Sequence, residues 1–124
     1  MTQRTERVAG EIREILGEII VRQEIKDPRV RGAGIITFTY VRVTGDLRQA
    51  RAFFTVHGMD DESLDRVRQG LVSAAGFMRK RIGESLRLKS TPTLVFEVDR
   101  VFEQEARIDA LLREVSSDTD KKTE

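Results

Sequence analysis

The sequence predicts an α+β domain, and three observations carry that expectation. Apolar residues recur at helical spacing in two long stretches, residues 4–24 and 64–86. Between them lie two runs rich in β-branched and aromatic residues around Thr44-Gly45-Asp46, and a third follows Pro92. At 124 residues and 39% hydrophobic content, the chain has material for one core and one domain.

The first helix is expected over about 4–24, with Val8, Ile12, Ile15, Leu16, Ile19 and Ile20 forming one buried stripe. Glu18 and Arg22 stand four apart in the supportive order. Gly10 and Gly17 each weaken a helix by about 1 kcal/mol relative to Ala, so they mark either close approach of another element or a tolerated weakness. Asp27-Pro28 closes the helical region, because a residue before proline avoids the α conformation.

Residues 35–43 read as a strand in which Ile36, Phe38 and Tyr40 alternate with Thr37, Thr39 and Val41. Thr44-Gly45-Asp46 turns the chain into a second strand, 49–56, with Ala50, Ala52, Phe54 and Val56 on one face. The pair should form an antiparallel hairpin. Asp60 or Asp61 then caps a helix whose seam is Leu64, Val67, Leu71, Ala74, Met78, Ile82 and Leu86. The seam runs unbroken through Gly76, but a glycine costs about 1 kcal/mol in a helix interior, so a kink between two helices at Ala74-Ala75-Gly76 and one long rod fit it equally. Residues 94–98 form a third strand. Ala106, Ile108, Leu111, Leu112 and Val115 suggest a short closing helix, and 116–124, free of apolar residues, a disordered polar tail. The expected division is therefore one domain over 1–115 followed by the tail at 116–124.

Charge is nearly balanced overall, with 22 Lys and Arg against 21 Asp and Glu, which excludes a bulk polycation. Its distribution is uneven. Residues 79–89 carry five bases and one acid, whereas 97–124 carry five bases and nine acids. A polyanion would be drawn to the first stretch and repelled by the second. The absence of cysteine removes disulfides, thiolate nucleophiles and sulfur-ligated zinc, and no apolar run is long enough for a signal peptide or membrane span. The expected address is the cytoplasm.

Little in the chain suggests catalysis. His57 is the only histidine, standing at a strand end before Gly58, where it reads as an exposed side chain sooner than a general base. Asp60-Asp61-Glu62 is accounted for by helix capping and the helix dipole, and there is no phosphate-loop, nucleophile-elbow or dinucleotide fingerprint. We expect no enzyme activity, no catalytic residue, no metal and no cofactor.

The most informative pattern lies opposite the helical seam. With Met78 at zero on a wheel of about 100° per residue, Ser73, Gly76, Lys80, Gly83 and Arg87 fall within about 40° of the far side. Small residues there would let a phosphate backbone approach, Lys80 and Arg87 would supply charge, and a helix starting after the kink would offer free N–H groups. Arg79 and Arg81 would flank the groove. An ordinary solvated face with basic residues for solubility gives the same composition. Phe38 and Tyr40 could stack on bases, but a strand under a helical layer more often buries such residues, so core is the expectation for both.

Taken together, the fragments resemble the ribosome-binding factor A family. They are Arg4-Thr5-Glu6-Arg7-Val8, Ile25-Lys26-Asp27-Pro28-Arg29-Val30, Ile36-Thr37, Val41-Arg42-Val43 and Asp46-Leu47 with Ala50 and Ala52. They continue with Leu71, Ala74-Ala75-Gly76-Phe77-Met78-Arg79, Leu86-Arg87-Leu88, Pro92-Thr93-Leu94-Val95-Phe96, Asp99, Arg107-Ile108 and Leu111-Leu112. The chain departs from the family pattern after Asp99, where Arg100-Val101 precede no serine.

The resemblance implies a type II KH-like fold, in the order helix, two strands, two helices, strand, with a mixed three-stranded sheet and helices on one face. It implies that Ala74-Ala75-Gly76 is the kink that replaces the Gly-x-x-Gly loop of ordinary KH domains. It further implies a factor that binds free small (30S) ribosomal subunits late in assembly, assists maturation and processing of 16S ribosomal RNA near its 5′ end without cutting it, and leaves with the help of a GTPase; a monomer is the default expectation at this size. The RNA contacts expected on this reading are Arg4, Arg7, Ser73, Ala74, Gly76, Arg79, Lys80, Arg81, Arg87 and Lys89. The competing expectation is a module that docks on protein through its helices or a sheet edge, without touching RNA.

Overall fold

The computed structural model describes residues 3–101, 104 and 107–114. Helix α1 (Gln3–Val21) and a one-turn helix α2 (Pro28–Arg31) precede strands β1 (Ile36–Val43) and β2 (Gln49–Val56). Helices α3 (Asp61–Ser73) and α4 (Ala75–Leu86) follow, then strand β3 (Thr93–Val98). The sheet order is β1-β2-β3, antiparallel between the first two strands and parallel between the last two. Two parallel neighbours need a crossover, and the α3–α4 pair supplies it. The α+β class and the mixed sheet are thus as expected.

One hydrophobic core lies between the sheet and the helices. Helix α1 contributes Val8, Ile12, Leu16 and Ile19, the inner sheet face Ile36, Phe38, Val41, Val43, Ala50, Ala52 and Phe54, and the α3–α4 seam Leu64, Val67, Leu71, Met78 and Ile82. Burying each large side chain of this set contributes about 1.5–3 kcal/mol. The small inner residues of β2, Ala50 and Ala52, are fully covered, which lets the helical layer sit close to the middle strand. Glu18 and Arg22 form the expected ion pair at 2.6 Å.

Four readings of the sequence change. First, a bulge between Phe38 and Tyr40 shifts the register of β1 on β2, so the two aromatics occupy opposite faces. Phe38 is buried at 4% exposure, while Tyr40 is 48% exposed on the outer face. The extra residue that a bulge inserts breaks period-two alternation. Second, Asp27-Pro28 begins a helix. Asp27 caps it by accepting a hydrogen bond from the Arg29 N–H, Pro28 occupies the first helical position, and α1 has already ended at Val21. Third, Gly10 and Gly17 face open space, with nothing within 4 Å of where a Cβ would stand, so they are weaknesses of the helix and not contact points. The glycine that does admit a neighbour is Gly70, whose Cβ would lie 2.8 Å from Val30 Cγ2, where α2 crosses α3.

Fourth, the stripe of the closing segment is uncovered. Residues 107–114 are helical, but Ile108, Leu111 and Leu112 are 55%, 60% and 62% exposed. Ala106, Val115 and the tail at 116–124 lie outside the described residues. Among the described residues, no helix is long and apolar enough to cross a membrane.

Candidate nucleic-acid interface

The kink is real and its geometry is simple. Ala74 ends α3 and begins α4 with φ −93° and ψ 4°, a bridge conformation that turns the chain without a left-handed residue. Its N–H bonds back to the carbonyls of Gly70 and Leu71, and Met78 resumes helical bonding by donating to the Ala74 carbonyl at 3.1 Å. No side chain caps α4, so its first-turn amides have no capping partner from the fold. Gly76 sits in that first turn, exposed, with nothing within 4 Å of a notional Cβ.

Four of the five predicted stripe positions face outward: Ser73, Gly76, Lys80 and Arg87 are exposed. Gly83 is half-buried instead, because the loop after α4 folds back until Thr91 Oγ1 would stand 2.7 Å from a Cβ there. Arg87 closes α4 in the left-handed region, φ 51°, and so swings the chain into that loop.

The cations divide into two groups. Arg79 is committed to the fold, its Nε donating to the Pro92 carbonyl and a terminal nitrogen to the Thr91 carbonyl, both at 3.0 Å. Arg81 is committed as well, paired with Glu24 just beyond α1. Lys80, Arg87 and Lys89 are exposed, and their side chains take no hydrogen bond or ion pair among the described residues. Of the five predicted cations on α4 and its exit loop, these three are thus uncommitted. Sequence position could not show the division, since the partners of Arg79 and Arg81 lie 12 to 57 residues away.

At the α3 end of the kink, Ser73 Oγ donates to Asp27 at 3.4 Å. The Asp27 carboxylate is forked by Arg29, at 3.1 Å from Nε and 2.7 Å from a terminal nitrogen. These Arg29 hydrogen bonds, from side chain and backbone, lower its pKa to about 2. The acid beside the kink is therefore charge-compensated.

Arg4 and Arg7 are exposed in the first turns of α1. The residues that touch the kink region, Glu24 and Asp27, instead follow the other end of that helix, about 25 Å of helix away from Arg4. Val72 and Phe77, 50% and 42% exposed, flank the kink and were not singled out from the sequence; their signal was a place on the wheel away from the buried seam.

The comparisons with known proteins agree with one another. A family profile described as ribosome-binding factor A matches residues 4–112. Ribosome-binding factor A of Geobacter sulfurreducens is 46% identical over 118 residues, covering 95% of this chain and 96% of that protein. The Geotalea daltonii protein of the same name is 41% identical over 117 residues, covering 94% and 91%. Among solved structures, the crystal structure of ribosome-binding factor A from Thermus thermophilus superposes with a TM-score of 0.62 at 19% identity, covering 77% of this chain and 97% of that one. A homology model of the Thermus thermophilus factor, fitted into a cryo-EM map of a 30S complex with ribosome-binding factor A, superposes with a TM-score of 0.58 at 20% identity, covering 74% and 91%. The two superpositions establish a shared fold, and the sequence matches, running through the helix-kink-helix and both flanking regions, establish that the chain belongs to the ribosome-binding factor A family.

Proposed function

We propose that this chain is a non-enzymatic assembly factor of the small ribosomal subunit that grips 16S ribosomal RNA at the Ala74–Gly76 kink. The observation that carries the reading is Gly76 itself. It weakens the first turn of α4 by about 1 kcal/mol relative to Ala, yet no atom of the described residues occupies the space its missing side chain leaves. A bare, exposed turn beside uncapped amides and three uncommitted cations suits a phosphate backbone. The Thermus relative fitted into a 30S complex supports the choice of partner.

On this reading Lys80, Arg87 and Lys89 neutralise phosphates, Arg79 and Arg81 hold the groove in shape, and Arg4 and Arg7 meet RNA at a separate point. The type II KH-like description, the cytoplasmic address, a monomeric state, a role in processing near the 5′ end, and release by a GTPase all belong to the same proposal. Lys80→Glu combined with Arg87→Glu should leave the fold intact, abolish sedimentation with free small subunits on a gradient and flatten the salt dependence of RNA binding. Unchanged sedimentation overturns the role of the kink.

The exposed Ile108, Leu111 and Leu112 favour a second reading, docking on a protein through the closing helix. Association insensitive to salt and lost in Leu111→Ser, but retained in the Lys80 and Arg87 double variant, would select it.

A further inference from the structure

The outer face of the sheet carries a second set of groups that the kink does not use. In the β1–β2 register Tyr40 stands opposite Phe53, and one step along Arg42 stands opposite Arg51. The two rings are 6.2 Å apart between centroids and inclined at 35°. Like charges directly opposed on a sheet are destabilising, so the arginine pair is a cost to the hairpin. Only one of them is relieved: Arg51 pairs with Glu97 on β3, while Arg42 has no ion pair among the described residues. Beside the Phe53 ring is an open hollow of about 460 Å³, lined also by Arg42, Thr44, Gln49 and Arg51.

We infer that this face is a stacking platform for single-stranded RNA, with a base on Tyr40 and Phe53 and its phosphate on Arg42 and Arg51. The inference rests on the reading of the chain as an RNA-binding factor and adds a surface to it. Aromatic side chains next to arginine on an exposed sheet are what sequence-tolerant single-strand binding requires, since every base has a ring face and every nucleotide a phosphate. The hollow is of the size in which small-molecule groups are held. At its rim the Thr44 hydroxyl is taken up by Asp46 and the Gln49 main chain, which leaves the Gln49 side-chain amide as the hydrogen-bonding group on offer. The bulge at Phe38–Tyr40 is what makes the platform, because it turns Tyr40 away from the core on which regular alternation would have placed it. Closing-helix residues Arg107 and Ala110 lie towards the other end of the face, near Thr37 and Thr55, and among the described residues Tyr40 is left 48% exposed.

Tyr40 is the only tyrosine and the chain has no tryptophan, so its emission reports on this surface alone. The full chain is titrated with a nine-residue oligouridylate, following tyrosine emission with correction for absorbance, while anisotropy of a fluorescently labelled copy of the RNA follows total binding. Stacking should quench the emission by at least half, with a midpoint that weakens as salt rises. The Arg42→Glu variant should shift the quenching midpoint at least tenfold weaker, and Glu97→Gln should strengthen it roughly two- to fivefold by removing a competing anion. Quenching should persist in the Lys80→Glu and Arg87→Glu double variant. Anisotropy that rises while tyrosine emission stays unchanged would overturn the platform and leave the kink as the RNA site. Failure of both signals, with sedimentation on small subunits retained, would overturn it too and assign that contact to protein.

Discussion

The Thr39 hydroxyl donates to the Asp99 carboxylate at 2.5 Å, joining the first strand to the exit of the third across the middle one. The Asp99 N–H also donates to the Phe54 carbonyl at 2.7 Å, so one residue fastens both neighbours. These bonds sit at the β1 bulge and hold it in place. Asp99→Ala should therefore lower the stability of the fold by about 1–3 kcal/mol, seen as a lower urea midpoint, and should increase the mobility of Tyr40. An unchanged midpoint would mean that the strand pairing alone fixes the bulge.

Gly10 and Gly76 form a controlled comparison. Both are helical, exposed and free of neighbours within 4 Å of a Cβ. Alanine at either should raise stability by up to about 1 kcal/mol, several degrees in Tm for a domain of this size. Only Gly76→Ala should weaken association with small subunits, because only there would the added methyl meet an incoming RNA strand. Equal binding by both variants would show that bareness at the kink has no part in recognition.

Gly70 should behave in the opposite sense. A methyl there would stand 2.8 Å from Val30 Cγ2 and 3.0 Å from Arg29 Cβ, so α2 must move away from α3. Gly70→Ala is expected to destabilise by about 1–3 kcal/mol despite the better helix propensity of alanine. Denaturant unfolding would check the sign, and a stabilised variant would show that α2 yields freely.

Asp27 supplies a pH dependence. Its pKa falls from 3.8 to about 2 in the folded chain, so the folded state favours the ionised form. A depressed acid contributes stability that is present above its unfolded pKa and lost as pH falls through the folded one. The difference in urea midpoint between the native chain and Asp27→Asn should hold steady above about pH 5 and shrink between about pH 4 and pH 2. A difference that stays constant over that range would place the value of Asp27 in capping geometry and not in its charge.

Much of the architecture was legible in the sequence. The α3–α4 seam reports its burial directly, since Leu64, Val67, Leu71, Met78 and Ile82 keep helical spacing and all are buried. The kink was half legible, since Gly76 weakens the helix beside Ala74 while the seam runs on unbroken, a pattern that a straight rod fits as well. The α2 turn carried its own signal, an Asp cap followed by Pro, but the same dipeptide also fits the end of a helix. Other features depend on distant partners and leave no local trace. Periodicity counts residues and cannot show that Thr39 is an extra one, nor can a run of basic residues show that Arg79 and Arg81 are occupied while Lys80 is not.

Arg79 holds the carbonyls of Thr91 and Pro92, and Thr91 in turn rests against Gly83. The connector bearing Arg87 and Lys89 is thereby strapped to the helix it leaves. Cations mounted on so taut a span surrender little freedom when a ligand arrives, so complexes should form without a slow adaptive phase and selectivity should come from contour. Cutting the strap would turn a shaped template into a loose charged fringe, sticky towards any polyanion and faithful to none.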